Sequence, residues 1–276
     1  MISFITTARN DDYGKGFLDR FYASLSTNLK TIEKFGIPYE YLVIEWSPMK
    51  QYLTYVDKFK EYFASNKNLI DIVVKSDVAL NERLNTTTFF EYFAKNVGIR
   101  QSKYDNLVIL NSDIVIPHET MKIMVDLVKK GLDKKKYYRP VNRAHSYCDL
   151  VEFGRCAINT PERIPHDMEV AGHYPGDLFL ILKETIIKDG KGYDETNLKH
   201  RTISQTAMDS EIMWNLYYNG CVLEYLNCDY LHIEHGRPNP YDGEYNTRGY
   251  INKPNWGFTQ YKQRHIKENL IEISWI

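Results

Sequence analysis

A chain of 276 residues fits one α/β domain of nucleotide-binding size. Hydrophobic residues make up 43%, enough for a sizeable core, and charged residues make up 26%, a balance that excludes bulk disorder. Lysine and arginine number 35 against 36 acidic residues, a formal net charge of -1, which excludes a nucleic-acid partner held by phosphate neutralisation.

Ile2 to Thr7 is a β-branched apolar run that stops at the polar loop Arg9-Asn10-Asp11-Asp12. Phe17, Phe21, Leu25, Leu29 and Ile32 then recur at helical spacing until Gly36 and Pro38 end the helix. Tyr41 to Trp46 reads as a second strand, Tyr52 to Phe63 as a helix, Ile70 to Val74 as a third strand, Thr86 to Gln101 as a helix and Leu107 to Leu110 as a fourth strand. This alternation predicts βαβ units and a mostly parallel central sheet flanked by helices. Further on, Met121 to Val128 is helical, Asp177 to Leu182 is an apolar run after Pro175-Gly176, Ser210 to Tyr218 is a helix ended by Gly220, and Val222 to Ile233 alternates like a strand. From Gly236 the composition shifts to Pro, Asn, Gly and Tyr without period, the pattern of an active-site lid or a tail. No repeat and no linker interrupts the chain, so one domain is expected.

Cys148, Cys156, Cys221 and Cys228 lack C-x-x-C spacing and read as four free thiols in a reducing compartment. The segment from Met1 to Ile5 has no signal-peptide pattern and no window is long and apolar enough for a membrane span, so a cytoplasmic location is expected.

Ligands of open α/β sheets bind beyond the carboxyl ends of the strands. Thr7, Arg9, Asn10, Asp11 and Asp12 lie at the end of the first strand, Glu45 and Trp46 at the end of the second, and Asn111, Ser112 and Asp113 at the end of the fourth. An edge this rich in Asp, Glu and Asn suits a hard divalent cation and a hydroxyl-rich ligand. In Asn111-Ser112-Asp113 two oxygen-bearing side chains stand two residues apart on a strand end and point the same way; an ordinary Asx turn accounts for them equally well. Asn96 and Arg100, one helical turn apart, offer an amide and a guanidinium to a diphosphate, against the alternative of a solvated helix face, which is preferred for Lys95. Asp209 opens a predicted helix, where a capping carboxylate is common. His232 and His235, three apart on a predicted strand, face opposite sides, so one of them is expected to be structural. Trp46, Trp214, Trp256 and Trp275 read as packing residues, with Trp256 kept as a sugar-stacking candidate; His145 and His173 have no assigned place.

The order of an apolar first strand with its polar loop, then Ala94-Lys95-Asn96-Val97-Gly98-Ile99-Arg100, then a strand ending in Asn111-Ser112-Asp113, resembles the GT-A glycosyltransferases, and most nearly the family 2 type. Gly176-Asp177-Leu178-Phe179-Leu180 is similar to the strand that lines their acceptor pocket. Met208-Asp209-Ser210-Glu211 is similar to their Glu-Asp-x-Glu segment, and His232 to His235 resembles the late strand whose histidine completes the metal shell. The likeness spans most of residues 1–235. It implies a Rossmann-like fold with a nucleotide-sugar-binding half (1–117), a smaller irregular acceptor-side half (118–235) and a C-terminal lid or tail (236–276).

The same resemblance implies a hexosyltransferase. It would take sugar from a nucleotide diphosphate donor, UDP being the expected carrier, and pass it with inversion to a hydroxyl of a glycan or other acceptor. Asp113 would anchor Mn²⁺ (or Mg²⁺) with His232 or His235, Asp209 would be the catalytic base, and Asp177 an acceptor-binding residue or substitute base. Thr7, Arg9, Asp11, Asp12 and Glu45 would surround the nucleoside, with Asn96, Arg100, Asn111 and Ser112 completing the donor site. Asn111 and Met208 stand where the family carries Asp and Glu. Those two departures support a competing reading, a catalytically idle nucleotide-sugar or carbohydrate-binding module on the same scaffold. A nucleotidyltransferase is disfavoured because Thr6 to Asp12 contains no glycine.

Overall fold

A computed structural model describes residues 1–9, 16–48, 54–81, 90–146, 159–163, 176–196, 208–235 and 252–274. Through the first half run β1 (Ile2–Ala8), α1 (Phe17–Glu33), β2 (Tyr39–Trp46), α2 (Tyr55–Lys58), α3 (Lys60–Ser65), β3 (Leu69–Val74), α4 (Ser76–Asn81), α5 (Glu91–Gln101) and β4 (Asn106–Leu110). The second half holds β5 (Ile114–Val115), α6 (His118–Lys130), β6 (Lys136–Ser146), β7 (Asn159–Arg163), β8 (Leu178–Leu182), α7 (Lys183–Lys188), α8 (Met208–Tyr218), β9 (Val222–Ile233), β10 (Lys262–Lys267) and β11 (Leu270–Ser274).

β1 and β2 are buried along their whole lengths, as continuous apolar runs inside a parallel sheet must be. β3, β2, β1 and β4 pair in parallel in that spatial order, joined through the helical crossovers that the alternating periods predict. The other half is mixed: β8 is antiparallel to β4 and β6, β6 is parallel to β9, and β9 is antiparallel to β5. Among the described residues, the mostly parallel part of the sheet is thus the part formed by the first half of the chain together with β11.

α1 lays Phe17, Phe21, Leu25, Leu29 and Ile32 against Phe4, Tyr41 and Leu110 on one face. α5 packs Phe93, Ala94 and Val97 on Ile5, Ile44 and Ile109 on the other. Gly98 lets α5 approach that closely, because a methyl there would overlap the Ile5 side chain and press on Ile44 at 3.2 Å. Gly98→Ala is expected to destabilise by about 1–2 kcal/mol, overpacking outweighing the gain in helix propensity, as read from urea unfolding midpoints.

Two expectations need correction here. The helix expected over Tyr52–Phe63 is two short helices broken at Phe59, whose φ/ψ of −111° and 42° is not helical. The stretch from 236 to 276 is not, over its described part, a lid or tail. Residues 252–274 belong to the sheet and its helix layer: β11 joins β3 in parallel and β10 forms the edge beyond it. Before those strands, Asn252 to Tyr261 is docked on α5. The Arg100 guanidinium stacks 3.7 Å above the Trp256 ring, and a side chain at Gly257 (φ +71°) would meet Asn96 O at 2.7 Å.

Candidate functional site

The turn between β4 and β5 carries the most informative sequence. Ile114 N–H donates to Asn111 O at 3.3 Å, so Asn111, Ser112 and Asp113 form a tight corner at the carboxyl end of the parallel strands. α1 fixes that corner from below. Ser24 Oγ and Asn28 Nδ2 donate to Ile114 O at 2.7 and 2.8 Å, and Ile116 N–H donates to Asn28 Oδ1 at 2.8 Å. On the far side Ile114 pairs with His232 in the β5–β9 ladder, and Ile233 N–H donates to Asp113 O at 2.9 Å.

These constraints bring Asp113 to both histidines. His235 Nε2 lies 3.0 Å and His232 Nε2 3.5 Å from Asp113 Oδ2, and His232 Nδ1 lies 3.3 Å from Glu234 Oε1. The expectation that His232 and His235 face opposite sides is corrected. β9 ends at Ile233, the two-residue alternation ends with it, and the chain turns His235 back toward Asp113. Burial opposes ionisation of Asp113, but His232 and His235 outweigh it and carry the carboxyl down to about 2. One carboxylate and two imidazoles, with ligand atoms within 4.8 Å of one another, match the donor set of a divalent transition ion. Asp113 Oδ1 is buried with no hydrogen-bond partner beyond its own backbone, so one ligand lone pair is available for a cation. His145 stands opposite His232 in the β6–β9 ladder; its side chain lies outside the described part of the structure.

Asn111 faces away from this cluster's chemistry. Lys95 Nζ donates to Asn111 Oδ1 at 2.8 Å, and Asn111 Nδ2 donates to Asp177 Oδ1 at 3.2 Å. Asp177 Oδ2 in turn accepts from Tyr230 OH at 3.2 Å and lies 3.4 Å from Arg143 Nε. The register places Asp177 here: β8 runs antiparallel to β4, and Asn111 N–H donates to Asp177 O at 2.9 Å. Lys95 is not on a solvated face, as its charge suggests; it is 0% exposed, paired with Glu91 at 2.7 Å and set over the rings of Tyr92 and Tyr193. Sequence reading missed Lys95, Arg143 and Tyr230. The one available signal was Glu91 at i−4 to Lys95.

Asn96 and Arg100 are corrected as diphosphate ligands. Asn96 donates to Tyr193 O and Glu195 Oε1 and accepts from Tyr193 N–H, while Arg100 holds Trp256 by stacking and by a bond to its carbonyl. Arg100 pins the 252–261 segment directly and Asn96 does so through Glu195, which accepts from Gly257 N–H; Trp256, buried under Arg100, is packing rather than a sugar platform.

Glu45, expected beside a nucleoside, is instead turned into the layer beneath α2. It is 0% exposed and accepts from Tyr55 N–H at 3.1 Å, beside Asp71, which accepts from Val56 N–H at 3.3 Å. Burial raises both carboxyls, Glu45 well above its usual range and Asp71 to about 7, so the pair retains protons that the unfolded chain has released. The folded state binds more protons between about pH 4 and 7, and stability falls as pH rises through that window. Asp71→Asn keeps an acceptor for Val56 and gives Glu45 a donor that does not titrate. Its melting temperature relative to wild type is expected to rise from about pH 5 to about pH 8, as differential scanning fluorimetry would record.

Of the remaining candidates, Thr7 and Arg9 end β1 almost fully buried, and Ser112 is partly exposed at the β4–β5 corner. Asp209 stands in the first turn of α8, its side chain outside the described part of the structure; Asp11, Asp12, His173 and Trp275 lie outside the described residues altogether.

A large mixed sheet with helices on both faces, and a polar corner at the carboxyl ends of its parallel strands, defines the GT-A fold. Solved structures of that fold are similar to this chain. TarS of S. aureus, residues 1–349, matches with a TM-score of 0.52 at 12% identity, covering 84% of this chain and 60% of that one. The same protein in complex with UDP-GlcNAc gives 0.53 at 14% identity, covering 91% and 61%, and in complex with UDP 0.51 at 12%, covering 84% and 60%. The chain thus spans about three fifths of the length of the TarS structures it matches. No protein-family model and no curated protein matches the sequence.

Proposed function

We propose that this chain is a metal-dependent glycosyltransferase that moves a hexose from a nucleotide diphosphate, UDP in the first instance, to a hydroxyl of a glycan or other acceptor. The observation that carries the reading is the Asp113, His232 and His235 cluster at the sheet corner of a fold shared with a protein solved with UDP and UDP-GlcNAc. The two imidazoles beside one carboxylate favour Mn²⁺ over the more strictly oxygen-seeking Mg²⁺. Asp113, His232 and His235 would hold such an ion, and bound there it would supply positive charge to offset the negative charge on a departing diphosphate, which matters most in the transition state.

The remaining steps belong to side chains. Thr7, Arg9, Asp11, Asp12 and Ser112 border the donor. Asp177, on the acceptor side of the corner, receives the acceptor hydroxyl. Asp209 takes the hydroxyl proton as the acceptor oxygen bonds to the anomeric carbon. The bond from that carbon to the phosphate oxygen breaks, the nucleotide diphosphate leaves with the electron pair, and direct displacement inverts the centre without an enzyme nucleophile. No helix among the described residues is long and apolar enough to cross a membrane, and Cys221 and Cys228 are free, in keeping with a cytoplasmic place of work.

A thermal-shift panel of UDP-, GDP-, CMP- and dTDP-sugars, with and without Mn²⁺, tests the donor class, since a ligand specific for the folded state raises the melting temperature by mass action. A shift confined to one nucleotide class and dependent on metal is expected. Binding with no transfer to any acceptor or water would return the idle-module reading.

A further inference from the structure

The polar chain that runs from α5 through the β4–β5 corner to β8 and β9 is built almost entirely from buried groups. Lys95 is enclosed by Glu91, Tyr92 and Tyr193, and its ammonium is also 3.4 Å from Gly176 O. An ammonium has only donors, so the atom of Asn111 that meets it must be the amide oxygen. That choice directs the Asn111 NH₂ to Asp177, whose other oxygen is met by Tyr230 and Arg143. Residue 111 therefore has to accept on one side and donate on the other, which an amide does and a carboxylate does not.

We infer that Asn111, oriented by Lys95, is a positioning residue that fixes the Asp177 carboxylate for the acceptor, and that the metal cluster two residues away takes its carboxylate ligand from Asp113 and none from residue 111. The inference rests on the glycosyltransferase reading for the role of Asp177, but the hydrogen-bond chain itself does not. An aspartate at 111 would keep Lys95 and set two carboxylates against each other across a gap now bridged at 3.2 Å. The asparagine at the first place of the motif is thus an adapter with its own electrostatic task.

Asn111→Asp, Asp177→Asn and the double exchange N111D/D177N test this together. N111D is expected to lose several degrees in melting temperature and to raise the acceptor KM roughly tenfold, with Mn²⁺ affinity changed less than about threefold. The double exchange restores an acceptor and a donor to the chain, so it recovers most of the melting temperature. It keeps the raised acceptor KM, because the carboxylate now stands one position away. Mn²⁺ binding tightened tenfold or more in N111D, with turnover raised, would make residue 111 a metal ligand and overturn the inference. Additive stability effects in the double exchange would overturn it as well. Should N111D fail to fold, Asn111→Ala, Asp177→Ala and their combination give the same coupling by urea unfolding, additivity again counting against it. A wild-type protein that binds neither nucleotide sugar nor Mn²⁺ sinks the glycosyltransferase reading, while the stability coupling between 111 and 177 still decides the positioning.

Discussion

Asp113→Ala is expected to abolish the proposed metal-dependent donor binding and to lower turnover by about 10³-fold or more, the scale for a leaving diphosphate that loses its counter-ion. Asp113 is the one carboxylate of the cluster, placed by the Asn111 turn, by the Ser24 and Asn28 bonds to Ile114, and by the β5–β9 ladder. None of those contacts uses its side chain, so the backbone of the corner is held without it. Removing Mn²⁺ with a chelator should reproduce the loss in wild type and leave the already inactive variant unchanged. Titrating a UDP-sugar calorimetrically in Mn²⁺ reads both effects. Wild-type affinity in Asp113→Ala would move the metal elsewhere.

Asp209→Asn separates chemistry from helix structure. Asparagine keeps the size and shape of aspartate and removes its charge, so the first turn of α8, where residue 209 stands, is changed little in volume. On the proposed role of Asp209 as base, the exchange is expected to cost about 10²–10⁴-fold in turnover while the donor dissociation constant stays within about threefold. Unchanged turnover would reassign proton removal, with Asp177 next in line. That residue is already engaged by Asn111, Tyr230 and Arg143, which leaves its oxygens better suited to holding a hydroxyl than to taking its proton.

The parts of this fold that sequence exposes are those with a long local period. β1, β2, β3 and β4 are apolar runs between polar breaks, and α1 carries its stripe for five turns, so each can be read without knowing its neighbours. β6 escaped because its buried residues include Arg139 and Arg143, which meet Tyr230 and Asp177, residues far along the chain. β10 escaped for the opposite reason, since all six of its residues are exposed and a sheet edge leaves no hydrophobic pattern.

The candidate site shows the same division. Asp113 was legible as the end of an apolar strand. Whether His232 and His235 converge depended on where β9 stops, which the alternation alone does not give. Asn96 and Arg100 do share a helix face, but the partners of that face, Tyr193, Glu195 and Trp256, come from about 100 to 160 residues later. Spacing within a helix says which side chains stand together and nothing of what they meet.

The measurement that tests the account most directly is a calorimetric titration of UDP-GlcNAc into the wild-type chain, with Mn²⁺ and with chelator. The account predicts saturable binding with Mn²⁺ that falls by at least tenfold with chelator and is absent from Asp113→Ala. Equal binding in all three, or none with any nucleotide sugar under either condition, would contradict it.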